Sequence, residues 1–159
     1  MTKTKTTTVQ IVPRAPVVRE PTEGKRLEPA MGPQIVRVSR HETEGAFEMI
    51  EIEVVAGAGP PLHVHPGFDE AFYILEGKLT MRIGERMLEL GPRGAALVPA
   101  GTLHTWKNAG TTPVRFLQVT APGSMEELLE AFAARPLASP EELAQLAEMY
   151  GTVILGPPL

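Results

Sequence analysis

Between residues 34 and 120 the chain falls into short apolar runs, and Gly, Pro or Asn closes almost every one of them. The runs cover 34–39, 47–55, 70–75, 78–83, 86–90, 95–98, 105–108 and 114–120. The breaks fall at Gly45, at Gly57, Gly59, Pro60 and Pro61, at Gly77, Gly84, Gly91 and Pro92, at Pro99 and Gly101, and at Asn108 and Gly110. Glycine adopts backbone angles closed to other residues, and proline has no N–H to give to a ladder, so both end strands. Many short strands at close spacing predict a sandwich or a barrel. In the run 47–55, Ile50, Ile52 and Val54 alternate with Glu51 and Glu53, so the first three face a core and the acids face water. With 43% hydrophobic residues there is enough apolar material for that core, and the 15 glycines and 16 prolines read as turns rather than disorder.

The flanks follow other rules. Residues 1–30 hold Pro13, Pro16, Pro21 and Pro29 with little periodicity, which predicts a flexible N-terminal arm with at most a short strand at 9–12. After Pro122 the period becomes helical. Ser124 stands as an N-cap with Glu127 at the capping-box spacing, and Met125, Leu128, Leu129 and Phe132 share one face. Arg135 and Pro136 end that helix. A second begins at Ser139 and Pro140, with Glu142 three residues after the serine. Its apolar face is Leu143, Leu146, Ala147 and Tyr150, and Gly151 is its C-cap. The tail from Thr152 reads as extended and apolar. The layout is thus an arm over 1–30, a β-domain over 34–121 and a helical extension over 122–159, without internal repeats.

Charge and composition exclude several classes. There are 15 Lys and Arg against 19 Asp and Glu, a net charge of −4, which gives nucleic acid or an anionic membrane no electrostatic footing. There is no cysteine, so disulfides, thiolate metal sites and cysteine nucleophiles are excluded. No apolar run approaches the roughly 18 residues of a membrane span. Residues 1–8 lack the apolar stretch of a secretory signal, so the expectation is a cytoplasmic protein.

Chemistry concentrates in the histidines, of which there are four, at 41, 63, 65 and 104. His63 and His65 are two apart, so on a strand both imidazoles point to one side and can meet one ion. Glu70 follows at the start of the next strand, and His104 comes beside the turn at Pro99, Ala100 and Gly101. Three imidazoles and a carboxylate suit one divalent transition metal: Mn, Fe, Co, Ni, Cu or Zn. His41 lies in a polar turn and is expected to be exposed.

The spacing around these residues resembles a known family. Gly57, five residues, His63, one residue, His65, four residues, Glu70, six residues and Gly77 reproduce the first cupin motif in full. Pro99, Gly101, two residues, His104, three residues and Asn108 are most of the second. One departure exists: the glycine that usually opens the second motif is replaced by Arg93. The resemblance implies an all-β, jelly-roll-like cupin β-barrel with two C-terminal α-helices. It implies His63, His65, Glu70 and His104 as metal ligands, and a homodimer. Gly77, Gly101 and Asn108 read as turn residues. By strand parity Phe72 and Ile74 share a face with Glu70, and Trp106 shares one with His104. These three are candidates for the wall of a substrate pocket, with core filling as the competing reading. Gln118 and Thr120 either face the pocket or face solvent.

A barrel of this size encloses one small ligand. The run around Glu70, from His63 to Gly77, is similar to bacterial quercetin-dioxygenase-like cupins. That resemblance implies a metal-dependent dioxygenase acting on a small enolisable or aromatic, flavonol-like substrate, with Glu70 doubling as a catalytic base. The alternatives are a non-oxidative metal-dependent isomerase, cyclase or decarboxylase, and a small-molecule-binding cupin without turnover.

Overall fold

Strand β3, Glu48–Val54, carries the alternation expected of it: Glu48, Ile50, Ile52 and Val54 are buried while Met49, Glu51 and Glu53 are half-exposed. It lies inside a six-stranded sheet. The order is β1 (Lys25–Leu27), β2 (Gln34–Val38), β3, β10 (Val114–Ala121), β5 (Asp69–Glu76) and β8 (Ala95–Val98). A second sheet of five strands has the order β11 (Val153–Gly156), β4 (Leu62–Val64), β9 (His104–Lys107), β6 (Leu79–Ile83) and β7 (Arg86–Leu90). Every pairing between these strands is antiparallel. The structure is a computed structural model that describes residues 14–137 and 139–159; the strand expected at 9–12 lies outside the described residues.

The two sheets face each other and share one core. Phe116 on β10 packs on Phe72 of its own sheet at 5.6 Å between ring centres and on Trp106 of the opposite sheet at 5.3 Å. Ile50, Ile74, Leu79 and Met81 are fully buried around them. Each such side chain contributes about 1.5–3 kcal/mol relative to exposure. The ladders of the two sheets do not join, so the jelly roll is two facing sheets rather than a continuous cylinder.

Turn positions explain two sequence features. Gly59 approaches β9 so closely that an added Cβ would sit 2.2 Å from the Trp106 carbonyl oxygen. Arg93, the departure from the second motif, has φ of 70°, the left-handed conformation that favours the glycine usually found there.

The flanks differ from expectation in two places. Residues 25–27, within the expected arm, form β1 and extend the large sheet along β2. The arm is also tied down by Arg19, which donates to Glu42 and to the Arg37 carbonyl. Helix α1 spans Glu126–Ala134 as expected, but its N-cap is Met125, which makes no side-chain cap. Ser124 instead donates to the Pro122 carbonyl. The capping acceptor comes from another element: buried Glu48 accepts from the backbone N–H of Ser124 at 3.1 Å, Met125 at 2.5 Å and Glu126 at 3.3 Å. A carboxylate satisfies more orphan N–H groups than a serine hydroxyl and complements the helix dipole. Helix α2, Pro140–Met149, does use its expected cap, with Ser139 Oγ accepting from Glu142 N at 3.2 Å. Gly151 follows it at φ of 76°.

Candidate metal centre

The register of the small sheet brings the first pair of candidate ligands together. His63 on β4 lies directly opposite His104 on β9, and opposed residues of an antiparallel pair share a face. Their ring centres are 4.3 Å apart. His65, two residues beyond His63, presents its ring to the same space, 4.7 Å from His63 and 5.2 Å from His104. Glu70 enters from the facing sheet on β5. All four are buried, and one ligand atom from each lies within 4.8 Å of the others. Ligands about 2.1 Å from one ion lie about 3.4 Å apart when tetrahedral and about 4.2 Å apart when opposite, so a small contraction closes the set.

Each ring is held by its Nδ1. His63 Nδ1 is 2.7 Å from the Pro61 carbonyl oxygen, and His104 Nδ1 is 2.9 Å from that of Thr102. A carbonyl only accepts, so both Nδ1 atoms carry the proton and both Nε2 atoms face the site, where a metal would replace the proton that His104 Nε2 shares with Glu70. His65 Nδ1 is 3.0 Å from Thr152 Oγ1, at the start of the tail. Its Nε2 is buried without a hydrogen-bond partner among the described residues. That orphaned nitrogen, 3.5 Å from Glu70 Oε2, is the observation that fits a metal best: a cation would satisfy it. Phe68 stacks on the His65 ring at 4.3 Å and seals that side.

Electrostatics separate the four groups. Burial opposes the charge on Glu70, but the hydrogen bond from His104 and the nearby imidazole of His65 outweigh it and hold the carboxyl down at about 2. Its Oε2 is 2.8 Å from His104 Nε2, and its Oε1 accepts from Gln118 Nε2 at 2.5 Å. Burial, then the neighbouring imidazoles of His104 and His65, push His63 down to about 4, which keeps it neutral and ready to ligate. For His104 burial lowers the pKa, and the Glu70 hydrogen bond and charge raise it further than burial lowers it.

A cavity of about 730 Å³ opens from these residues. His63, His65, Glu70 and Gln118 form its polar floor. Its walls are largely apolar, with Ile52 and Trp106 from the sheets and Leu128, Leu129 and Phe132 from α1. Of the three expected pocket residues, Trp106 lines this cavity. Phe72 and Ile74 do not, being 1% and 0% exposed in the core. They share Glu70's face but lie further along β5, where Phe116 fills the space between the sheets. His41 is exposed, as expected. Thr120 reaches neither pocket nor solvent: it donates to Glu48 at 2.6 Å. Two contributors carried no readable signal: Thr152 and Phe68 act through contacts made only on folding. Gln118, left open between pocket and solvent, lines the pocket.

Two facing antiparallel sheets with three histidines and one carboxylate gathered between them make the fold and the site of a cupin. Comparison with known proteins agrees: residues 50–120 match the family model described as Cupin domain, and the chain resembles the cupins in that stretch. It is 32% identical over 113 residues to quercetin 2,3-dioxygenase of Bacillus subtilis (strain 168), a match covering 70% of this chain and 33% of that protein. It is 28% identical over 89 residues to the tetracenomycin polyketide synthase protein TcmJ of Streptomyces glaucescens, covering 56% of this chain and 60% of the relative. The chain thus spans a third of the length of the first relative and three fifths of the second. Among solved structures, a predicted oxalate decarboxylase from Thermotoga maritima aligns with a TM-score of 0.58 at 21% identity, over 67% of this chain and 98% of that one. At that identity the likeness concerns the fold alone. Among the described residues no helix is long and apolar enough to cross a membrane.

Proposed function

We propose that this protein is a metal-dependent dioxygenase acting on a small enolisable aromatic substrate of the flavonol kind. The observation that carries the proposal is the position of the His63, His65, Glu70 and His104 cluster at the floor of a largely apolar cavity of about 730 Å³. That volume suits a drug-sized, multi-ring guest. The similarity to a quercetin 2,3-dioxygenase supports the same substrate class.

A bound divalent metal would supply Lewis acidity toward an enolate or catecholate oxygen and, if redox-active, a route for electrons to dioxygen. The three histidines hold their Nε2 atoms inward. Glu70 accepts the proton of the substrate hydroxyl at Oε2 while Gln118 keeps Oε1 in place. Trp106 and the α1 face exclude water from the reacting end.

A second reading is Lewis-acid chemistry without dioxygen, such as cyclisation, isomerisation or decarboxylation. The similarity to a protein of a polyketide synthase favours it, since the same cavity suits an aromatic polyketide. Oxygen uptake separates the two. Protein loaded in turn with Fe, Mn, Co, Ni, Cu or Zn is mixed with flavonols and dihydroxy-aromatics. Uptake matching substrate loss, abolished in Glu70→Gln with metal retained, supports the dioxygenase; substrate conversion without uptake supports the second reading. Binding without conversion leaves a ligand-binding cupin.

The proposal extends to a homodimer. Ala71, Tyr73, Ala95, Leu97, Leu117 and Val119 form an apolar outer face on β5, β8 and β10, with Leu97 61% exposed. These six residues carry no charge, so the same face of a second copy meets no like-charge repulsion there. Light scattering should find a dimer, and Leu97→Asp should give a monomer.

A further inference from the structure

Gln34 opens β2 with its side chain on the inner face of the large sheet. It is 1% exposed and lines the cavity. Its Oε1 has no hydrogen-bond partner among the described residues. An unpaired buried carbonyl costs stability, and folded proteins rarely leave one in that state. A methionine or leucine would fill the position without that cost, so the amide needs another reason to be there.

The position is as informative as the missing partner. Gln34 pairs with Ile52, Ile52 with Phe116, and Phe116 with Ile74. Gln34 is therefore level with Ile74, four residues along β5 from Glu70. Four residues of strand run about 13 Å. On the strands the cavity lining thus carries two separated polar features, the metal-ligating cluster around Glu70 and, four residues of strand away, Gln34. A ligand meeting both is elongate, with more than a single ring.

We infer that Gln34 is a specificity residue that accepts a hydrogen bond from a hydroxyl group at the far end of an elongate, multi-ring ligand. The inference rests on the flavonol-type reading of the same cavity and adds a rule to it: distal hydroxylation is read, and by this residue.

Trp106, the one tryptophan of the chain, lines the cavity, so its fluorescence reports occupancy. The test uses metal-loaded full-length protein and two kinds of probe, unsubstituted 3-hydroxyflavone and flavonols hydroxylated on either outer ring. Wild type should bind at least one hydroxylated probe about tenfold or more tightly than 3-hydroxyflavone. In Gln34→Met that preference should collapse to about twofold or less. The metal-free variant should melt at or above the wild-type temperature, because an unpaired polar atom has been removed. Gln34→Leu should repeat the result. A preserved preference in the variants overturns the inference, and so does a clear fall in melting temperature or a failure of both variants to fold, which would give the amide a structural role. If none of the probes binds wild type, the flavonol reading and this inference fall together. If the hydroxyl preference depends on Gln34 but no oxygen is consumed, the dioxygenase reading fails and the inference stands.

Discussion

Gln118 donates its side-chain N–H to Glu70 Oε1 at 2.5 Å across the β10–β5 pair, and this bond sets which carboxylate oxygen faces the histidines. Both residues are buried, at 3% and 2% exposure, so the oxygen has no access to bulk water as a substitute. Gln118→Met keeps the volume and removes the donor. The metal-free variant should lose about 1–3 kcal/mol in chemical denaturation, the cost of leaving a buried acceptor unpaired. Saturating divalent metal should raise the stability of both proteins, because a ligand of the folded state alone stabilises it. An unchanged denaturation midpoint would show that the bond does not hold Glu70.

Thr152 plays the matching part for His65. Its hydroxyl lies 3.0 Å from Nδ1, and pairing of β11 with β4 delivers it there. Thr152→Val is close to isosteric and leaves the ring free to turn and to change tautomer. Metal affinity measured by chelator competition should fall about 10- to 100-fold, the usual effect of losing a group that orients a ligand. Thr152→Ser should restore most of it, while the far-ultraviolet circular dichroism of all three proteins coincides.

The contrast between these residues and the candidate ligands explains what could be read from the chain. His63, His65, Glu70 and His104 were legible because a two-residue step on a strand and two glycine-framed turns leave a linear trace. The strands were legible for the same reason: alternation and turn residues are local. Gln118 and Thr152 serve the site through partners 48 and 87 residues away; a polar residue on an apolar strand marks Gln118 without saying which way it faces, and nothing local marks Thr152. Glu48 occupies an inward position among Ile50, Ile52 and Val54, where a carboxylate has no reason to be until α1 arrives to donate to it. Ser124 and Glu127 then carry a capping-box pattern that goes unused, since Glu48 takes the N–H groups and Glu127 pairs with Arg40 at 2.5 Å. Parity was right about the face of Phe72 and Ile74 but carried no information on how far the cavity extends along β5.

Glu48 supplies a third prediction. It is fully buried and accepts from three backbone N–H groups at the start of α1 and from Thr120. Glu48→Ala should destabilise the protein by about 2 kcal/mol, the upper range for a lost helix cap. Because Leu128, Leu129 and Phe132 of α1 wall the cavity, proteolysis should begin earlier near 126–134, and ligand binding should weaken even with the metal cluster intact. Glu48→Gln keeps one acceptor and should fall between the two. Equal proteolysis rates would show that α1 is anchored by its apolar face alone.

The pair that fastens the segment before β1 should make stability depend on acid. Arg19 donates to Glu42 at 2.6 and 3.1 Å, and the Ser39 N–H adds a third bond at 2.9 Å. The Arg19 hydrogen bond, then that of Ser39, hold Glu42 below its ordinary value against the opposing effect of burial. A carboxyl lowered on folding binds its proton more readily in the unfolded chain, so stability from this source is complete above the unfolded value of about 4.3. It is then lost as pH falls through the lower folded value. Both side chains are about a quarter exposed, so screening limits the pair to about 0.2–1 kcal/mol. Wild type should therefore exceed Glu42→Gln in melting temperature by a constant margin above about pH 5, and the margin should close as pH falls below about 4. Added salt should narrow it at neutral pH as well. A margin that stays constant down to pH 3 would show that Glu42 acts by packing and hydrogen bonding alone, without its charge.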